Sequence, residues 1–533
     1  MLLKKHYYLV TFLVIYLIMA IYLLRFYAYQ INPDGISLIN IAKEIKNGHL
    51  IEAINAYWGI LFSLLLSPFL FLPLSPLYAQ KVMSIIIGVF TIIGVYNLSL
   101  KINLRPLFLS FLLICLIPLV IYFSLSVTTT DLLQLTIFIF YLSVISSQNY
   151  SRKISSGFMV GLIGALGFLA KENGFFFFLM HFSLINIFYF LYFKGRENRI
   201  KLTKTFAVGI LTFLFISSIW IFMLGLKYHQ FMIGSRGSYN WALVGPRTSG
   251  HPRFYMGFLM PPTRHSISAW DDPTYPSPPS WSIFESIETF RFQLAKVWTN
   301  IQISLSTFKS FSFVFIPLSF LLFVYTFLYI FLLRKQLLSN IGIISIFIAF
   351  VIHASPYIMT YLDERYLWMN FILLSLFGFI LLEKFFSITY FKRFPHYFRN
   401  SFAFIIGLAF ALTISYKSIN YLKTTLNVDR FFFEQGRLLL TKYGIMNANL
   451  ASNDNWNWML TYTFYTNGRY LGISRQNIDF LKLLEDIKKY NIDYYFVWNN
   501  DQLADTLSTV FPELPEEISG YRIFFIKNNK SYY

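Results

Sequence analysis

Residues 7–35 read YYLVTFLVIYLIMAIYLLRFYAYQINPDG, and this stretch decides the fold class. Its apolar run, Tyr7 to Leu24, follows Lys4 and Lys5. The run is too long for the core of a cleaved signal, and no small-residue cleavage site precedes Arg25. It reads as a retained membrane anchor. Further along, apolar runs of roughly 17 to 25 residues recur between short basic loops, the length needed to cross a hydrocarbon core about 30 Å thick. Of the 533 residues, 56% are hydrophobic and 13% charged. That is about half the charged fraction of an ordinary soluble domain, so lipid must be the solvent for most of the chain.

Spans are expected near residues 7–28, 78–98, 107–126, 131–147, 157–171, 174–193, 205–225, 311–333, 340–360, 366–385 and 400–417. The fold class is thus an all-α polytopic bundle of about eleven transmembrane helices. The formal net charge of +19 gathers in short loops at 101–105, 152–153, 194–204, 334–335 and 392–399. The positive-inside rule accounts for that pattern, and no nucleic-acid partner is implied. All these loops share the cytoplasmic side if Trp58 to Leu74, broken by Pro68 and Pro73 and followed by Pro76, is an interfacial or re-entrant element. The N-terminus is then cytoplasmic and the tail extracytoplasmic, in a multi-pass cell-membrane protein.

Two parts are expected to leave the bilayer. Residues 226–306 form a long outer loop rich in Pro, Trp, Arg and His, and residues 29–77 form another. The tail alternates strand-like and helix-like runs, which implies a small α/β domain over 418–533 behind a transmembrane domain over 1–417. Gly157, Gly161, Gly164 and Gly167 suit close helix packing. The single cysteine, Cys115, excludes a disulfide framework and a cysteine-based zinc site.

With sidedness assigned, four polar groups fall on the outer face. Asp34 follows Asn32-Pro33, where helix capping alone would account for a carboxylate. Thr128-Thr129-Thr130-Asp131 opens a span, again a cap-like cluster. Ala170-Lys171-Glu172-Asn173-Gly174 is a complete outer turn, and a lysine held there asks for an anion, which Glu172 itself could supply. Asp363-Glu364-Arg365 sits in another outer turn, and an arginine at a bundle mouth suits phosphate through its planar fork of donors. Acids here can serve as base or metal ligand, and cations can hold a phosphate leaving group. The long loop adds Arg264, His265, Asp271 and Asp272 as candidates for substrate contact, beside Glu172 and Glu364; Asp-Asp-Pro is also an ordinary turn opener. His181 and His353 lack metal-ligand spacing, and His353 is expected to bond within its own helix. No Walker loop, HExxH, nucleophile elbow or CxxC pair occurs.

The motifs Pro33-Asp34-Gly35, Thr130-Asp131, Leu169-Ala170-Lys171 and Glu364-Arg365-Tyr366-Leu367 occur in this order and sidedness. In this the chain resembles the GT-C superfamily of polyprenyl-phosphate-dependent glycosyltransferases, especially the branch of protein mannosyltransferases and the aminoarabinose transferase. The resemblance implies a polyprenyl-phosphate-linked sugar as donor, entering from the bilayer, and a protein, lipid or glycan acceptor from outside. It implies Asp34 as general base, Asp131 as a second catalytic acid that orients the acceptor, and Lys171 and Arg365 on the donor phosphate, with direct, inverting transfer. No cofactor is assigned, though some relatives use a divalent cation. Departures are Glu172 directly after Lys171 and the absence of a second acid beside Asp34. A secondary transporter or lipid flippase is the competing class; transporters collect ionisable residues near the bilayer midplane, whereas these lie at span ends. A scaffold presenting the tail is a third.

Overall fold

The computed structural model describes residues 2–147, 150, 153–192, 195–248, 250–275, 277–331, 341–387, 395–515 and 520–526. Of the basic loop residues, Arg152, Lys194, 334–335 and 392–394 lie outside the described residues. Eight described helices are long and apolar enough to span a bilayer, and Ile287–Phe311 with Phe315–Leu328, meeting at 117°, makes a ninth if the pair is one broken span. Asp131–Ile145 and Ile154–Ala170 are shorter apolar helices. Among the described residues, the apolar runs read as spans fall on helices, the one over 311–333 after a break at 312–314, and the architecture is a helical membrane bundle carrying a small sheet near its C-terminus.

The region around residue 311 departs from expectation. The Ile287–Phe311 helix starts inside the stretch read as loop up to 306, behind a complete Ser286/Thr289 capping box. Polar residues such as Arg291, Gln293, Lys296 and Asn300 disguise it as a surface segment. The chain then bends through Ser312, and Pro317 sits in the first turn of the next helix, where a proline costs no intrahelical bond.

Residues 58–74 form no full span. The helix Ile60–Leu66 passes into a 3-10 turn, Ser67–Phe71, and both pack on the largely buried helix Pro33–Lys46. Close packing at the glycines is real for Gly157 and Gly161: a Cβ there would meet the Thr205 and Gly209 carbonyl oxygens at 2.2 and 2.3 Å, so these two helices touch backbone to backbone. Gly164 and Gly167 instead accept the rings of Phe178 and Phe138.

In the tail, β1 (Asn449–Ser452), β2 (Arg469–Ile473), β3 (Tyr494–Trp498) and β4 (Tyr521–Phe525) form one sheet in the order β2-β1-β3-β4. The first three are parallel and β4 runs antiparallel to β3. The β2 edge is covered by the long loop after residue 226: Leu259 N donates to the Leu471 carbonyl and Tyr470 N to the Ile267 carbonyl, each at 2.7 Å. The loop is therefore wedged between the sheet and the Pro33 helix. The first helix is tied to the end of the helix His396–Thr424, with Tyr27 Oη 3.1 Å from the Leu422 carbonyl and 2.9 Å from Thr425 Oγ1.

Candidate active site

The four polar turns converge. Pro33 occupies the first turn of its helix, and Asp34 beside it makes no capping bond; the Asn32 side chain instead accepts from Thr128 N at 3.0 Å. Asp34 Oδ2 lies 2.8 Å from an Arg365 terminal nitrogen, and Asp34 Oδ1 accepts from Trp270 Nε1 at 3.1 Å. Asp131, which opens its own helix, pairs through Oδ1 with Lys171 Nζ at 2.5 Å, while its Oδ2 is 4.0 Å from Arg365 Nε. Lys171 also donates to Tyr357 Oη at 2.9 Å and lies 4.1 Å from the centre of the Tyr366 ring. Arg365 in turn reaches Asp363 at 3.2 Å. Four residues from four separate turns thus form one buried, alternating chain of charge: Asp34, Arg365, Asp131, Lys171.

Two arginines of the long loop join it, and nothing in their sequence context singles them out. Arg236, in the short helix Arg236–Leu243, is buried over the rings of Tyr57 and Trp58 at 5.3 and 5.2 Å. Burial raises the Asp34 carboxyl, but Arg365 and Arg236 overcome this and hold it below the ordinary value, so it is an anion at neutral pH. Arg253 is sandwiched between Trp270 and Trp456, 3.9 and 4.1 Å from their ring centres. Its Nε and one terminal nitrogen are buried with no hydrogen-bond partner among the described residues, and burial pushes its guanidinium down to about 10.

Two cavities flank the charge chain. The wider, about 430 Å³, is lined by Asn32, Asp34, Arg253, Arg365, Trp368 and Asn457, among others. The narrower, about 200 Å³, is lined by Lys171, Glu172, Arg236 and the apolar surfaces of Phe176, Pro356 and Tyr357. Larger clefts around Arg105–Ile405 and Phe190–Lys204 contain no acidic residue.

The remaining candidates divide. Glu172 does not neutralise Lys171; it accepts from Gly237 N at 3.0 Å, and its burial pushes the carboxyl up despite that bond. Glu364 lines the wider cavity, accepts from Tyr122 Oη at 2.6 Å and pairs with Lys417. Asp271 is buried and accepts from Ser37, Asn40 and Ile267 N, which fastens the loop to the Pro33 helix. Burial raises its carboxyl to about 6. Asp272 bonds Tyr228 Oη and Thr274 N. Arg264 and His265 are exposed and line neither cavity. His353 bonds Asn370 on the next helix at 3.0 Å, not its own helix, whose carbonyls are already engaged by backbone N–H groups.

Solved structures share this architecture. The chain is similar to the oligosaccharyltransferase from Archaeoglobus fulgidus in its apo form, with a TM-score of 0.58 and 12% identity over 95% of this chain and 71% of that one. It is similar to ArnT from Cupriavidus metallidurans bound to undecaprenyl phosphate, with a TM-score of 0.55 and 12% identity over 97% and 98% of the two chains. A third likeness is to the archaeal oligosaccharyltransferase AglB from A. fulgidus in complex with an inhibitory peptide and a dolichol-phosphate, with a TM-score of 0.55 and 11% identity over 95% and 71%. No family model and no curated protein matches the sequence.

Proposed function

Because this chain has the GT-C fold, we propose that it is an integral membrane glycosyltransferase that moves a sugar from a polyprenyl-phosphate donor to an acceptor hydroxyl on the extracytoplasmic face. The observation that carries this reading is the charge chain between two cavities, with the Asp34 anion on the wider side and Lys171 with Arg236 on the narrower.

The narrow cavity suits the donor phosphate: two cations sit among apolar walls that a polyprenyl chain can follow. The wide cavity suits the acceptor. Asp34 accepts the proton of the acceptor hydroxyl as that oxygen bonds the anomeric carbon. The carbon–oxygen bond to phosphate breaks in the same direct, inverting step, and polyprenyl phosphate leaves with the electron pair. Lys171 and Arg236 stabilise the charge that develops on the phosphate. Asp131, held between Lys171 and Arg365, fixes the spacing of both cations. Lys171, Arg236 and Arg365 already balance Asp34, Asp131 and Asp363, so this donor set has no spare negative charge to attract a divalent cation, and no step is routed through one. The N-terminus faces the cytoplasm of a plasma-membrane protein in this scheme.

Purified protein supplied with a panel of labelled polyprenyl-phosphate sugars and a membrane extract is expected to release polyprenyl phosphate, and Asp34→Asn is expected not to. Absence of release from every donor would remove the reading. Lipid movement across vesicles without release would favour a flippase.

A further inference from the structure

Apart from the charge chain, the described residues hold one group of three side chains with metal-ligating atoms in reach of one another: Glu44, His49 and His265, whose ligand atoms all lie within 4.8 Å. Local backbone builds half of it. The Pro33 helix ends at Lys46, and Gly48, at φ +83°, turns the chain in a conformation that favours glycine. That turn brings His49 back over the last helical turn, with its Nδ1 2.9 Å from Glu44 Oε2. The long loop supplies the rest. Asn40 Nδ2 donates to the His265 carbonyl at 3.1 Å, and the two imidazoles stack 4.4 Å apart at 16°.

We propose that Glu44, His49 and His265 bind a zinc ion that clips the long outer loop to the helix carrying Asp34. One carboxylate and two neutral imidazoles are a zinc donor set, and reaching metal–ligand distances of about 2.0–2.2 Å requires the two stacked rings to tilt until their nitrogens converge, a rotation that the exposed His265 side chain is free to make. Glu44 is buried, His49 partly exposed and His265 exposed, so a fourth position stays open to water. The site is separate from the charge chain: Glu44 lies ten residues beyond Asp34, about 15 Å along the helix. It is equally separate in purpose. The clipped loop segment carries Asp271, which anchors it, and Trp270, which donates to Asp34. The metal therefore positions the loop and takes no part in the chemistry.

The test uses the detergent-purified full chain, stripped with chelator and titrated with Zn²⁺ and with Co²⁺ as a spectroscopic probe. Tight binding of one equivalent is expected, with the intense visible bands of low-symmetry Co²⁺ and a rise in melting temperature. Single substitutions His49→Ala and His265→Ala should each weaken binding at least 100-fold and abolish the metal-dependent rise. Because His265 is exposed, His265→Ala without metal should melt where the metal-free parent does, which separates lost ligation from misfolding. No tight equivalent, unchanged binding by His265→Ala, or loss of the equivalent in Asp34→Asn instead, would each overturn the proposal.

Discussion

The two cavities either side of Asp131 use the same residue types to opposite ends. In the narrow one the acid, Glu172, is spent on the backbone N–H of Gly237 and its burial favours the neutral form, so the cations Lys171 and Arg236 dominate. In the wide one the acid, Asp34, is held ionised by Arg365 and Arg236, while Arg253 is left with buried donors and no acceptor. The difference shows that burial alone does not decide what a carboxylate can do. Its donors do: backbone dipoles leave Glu172 able to carry a proton, and two guanidiniums keep Asp34 free to receive one.

If the wide cavity is where the acceptor loses its proton, Asp34→Asn lowers turnover by about 10³-fold, within the range for a lost general base, with donor binding retained. Retention of more than a tenth of the activity would break the assignment of the two sides. Loss of the narrow cavity's cations acts next most strongly. Arg236→Met is expected to cost about 10²-fold in turnover and to weaken retention of polyprenyl phosphate. Lys171→Met removes the nearer partner of the buried Asp131 charge and leaves only the more distant Arg365, a loss of up to about 3–5 kcal/mol. The informative variant is therefore Lys171→Met with Asp131→Asn, which should recover the fold and not the activity.

A pH profile sharpens the same contrast. The Asp34 carboxyl lies below its ordinary value, so its anion, and the stability it contributes, persist above that value and are lost as pH falls through the folded one. The acid limb of kcat/KM should accordingly lie below the ordinary carboxylate range. Arg365→Gln removes the nearer cation, and the limb should move up in pH. A limb that stays in place would mean that Asp34 is not the group being titrated.

The residues of these four turns were legible because the distribution of basic loops put Asp34, Asp131, Lys171 and Arg365 on one common face before any packing was known. Each sits beside an apolar run, where a charge stands out. Arg236 and Arg253 had no such contrast: the stretch read as a long loop also carries Arg247, Arg264 and Arg291, and only tertiary packing tells a guanidinium buried between tryptophans from one in water. The same limit hid the Glu44, His49 and His265 group, whose third member is 216 residues from the second. The bend at Ser312 was missed for a different reason. An amphipathic helix running into an apolar one changes composition gradually, and the break depends on packing that periodicity does not encode.

Arg253 gives the smallest and most diagnostic effect. Nothing among the described residues pairs with its buried Nε and terminal nitrogen, and a buried donor without a partner costs about 1–3 kcal/mol. Trp270 and Trp456 offset part of that through their ring faces, and the remainder is recovered only if something in the cavity accepts from Arg253. Arg253→Met keeps an extended apolar stem between the two rings, so the protein should melt at or slightly above the temperature of the parent. Acceptor KM should rise about tenfold, equivalent to about 1.4 kcal/mol, with turnover at saturation and donor binding unchanged. A fall in melting temperature with no change in KM would make Arg253 a strut between the loop and the tail rather than a binding group. The combination of unimpaired stability and weaker acceptor use is what a residue kept unpaired for its substrate predicts.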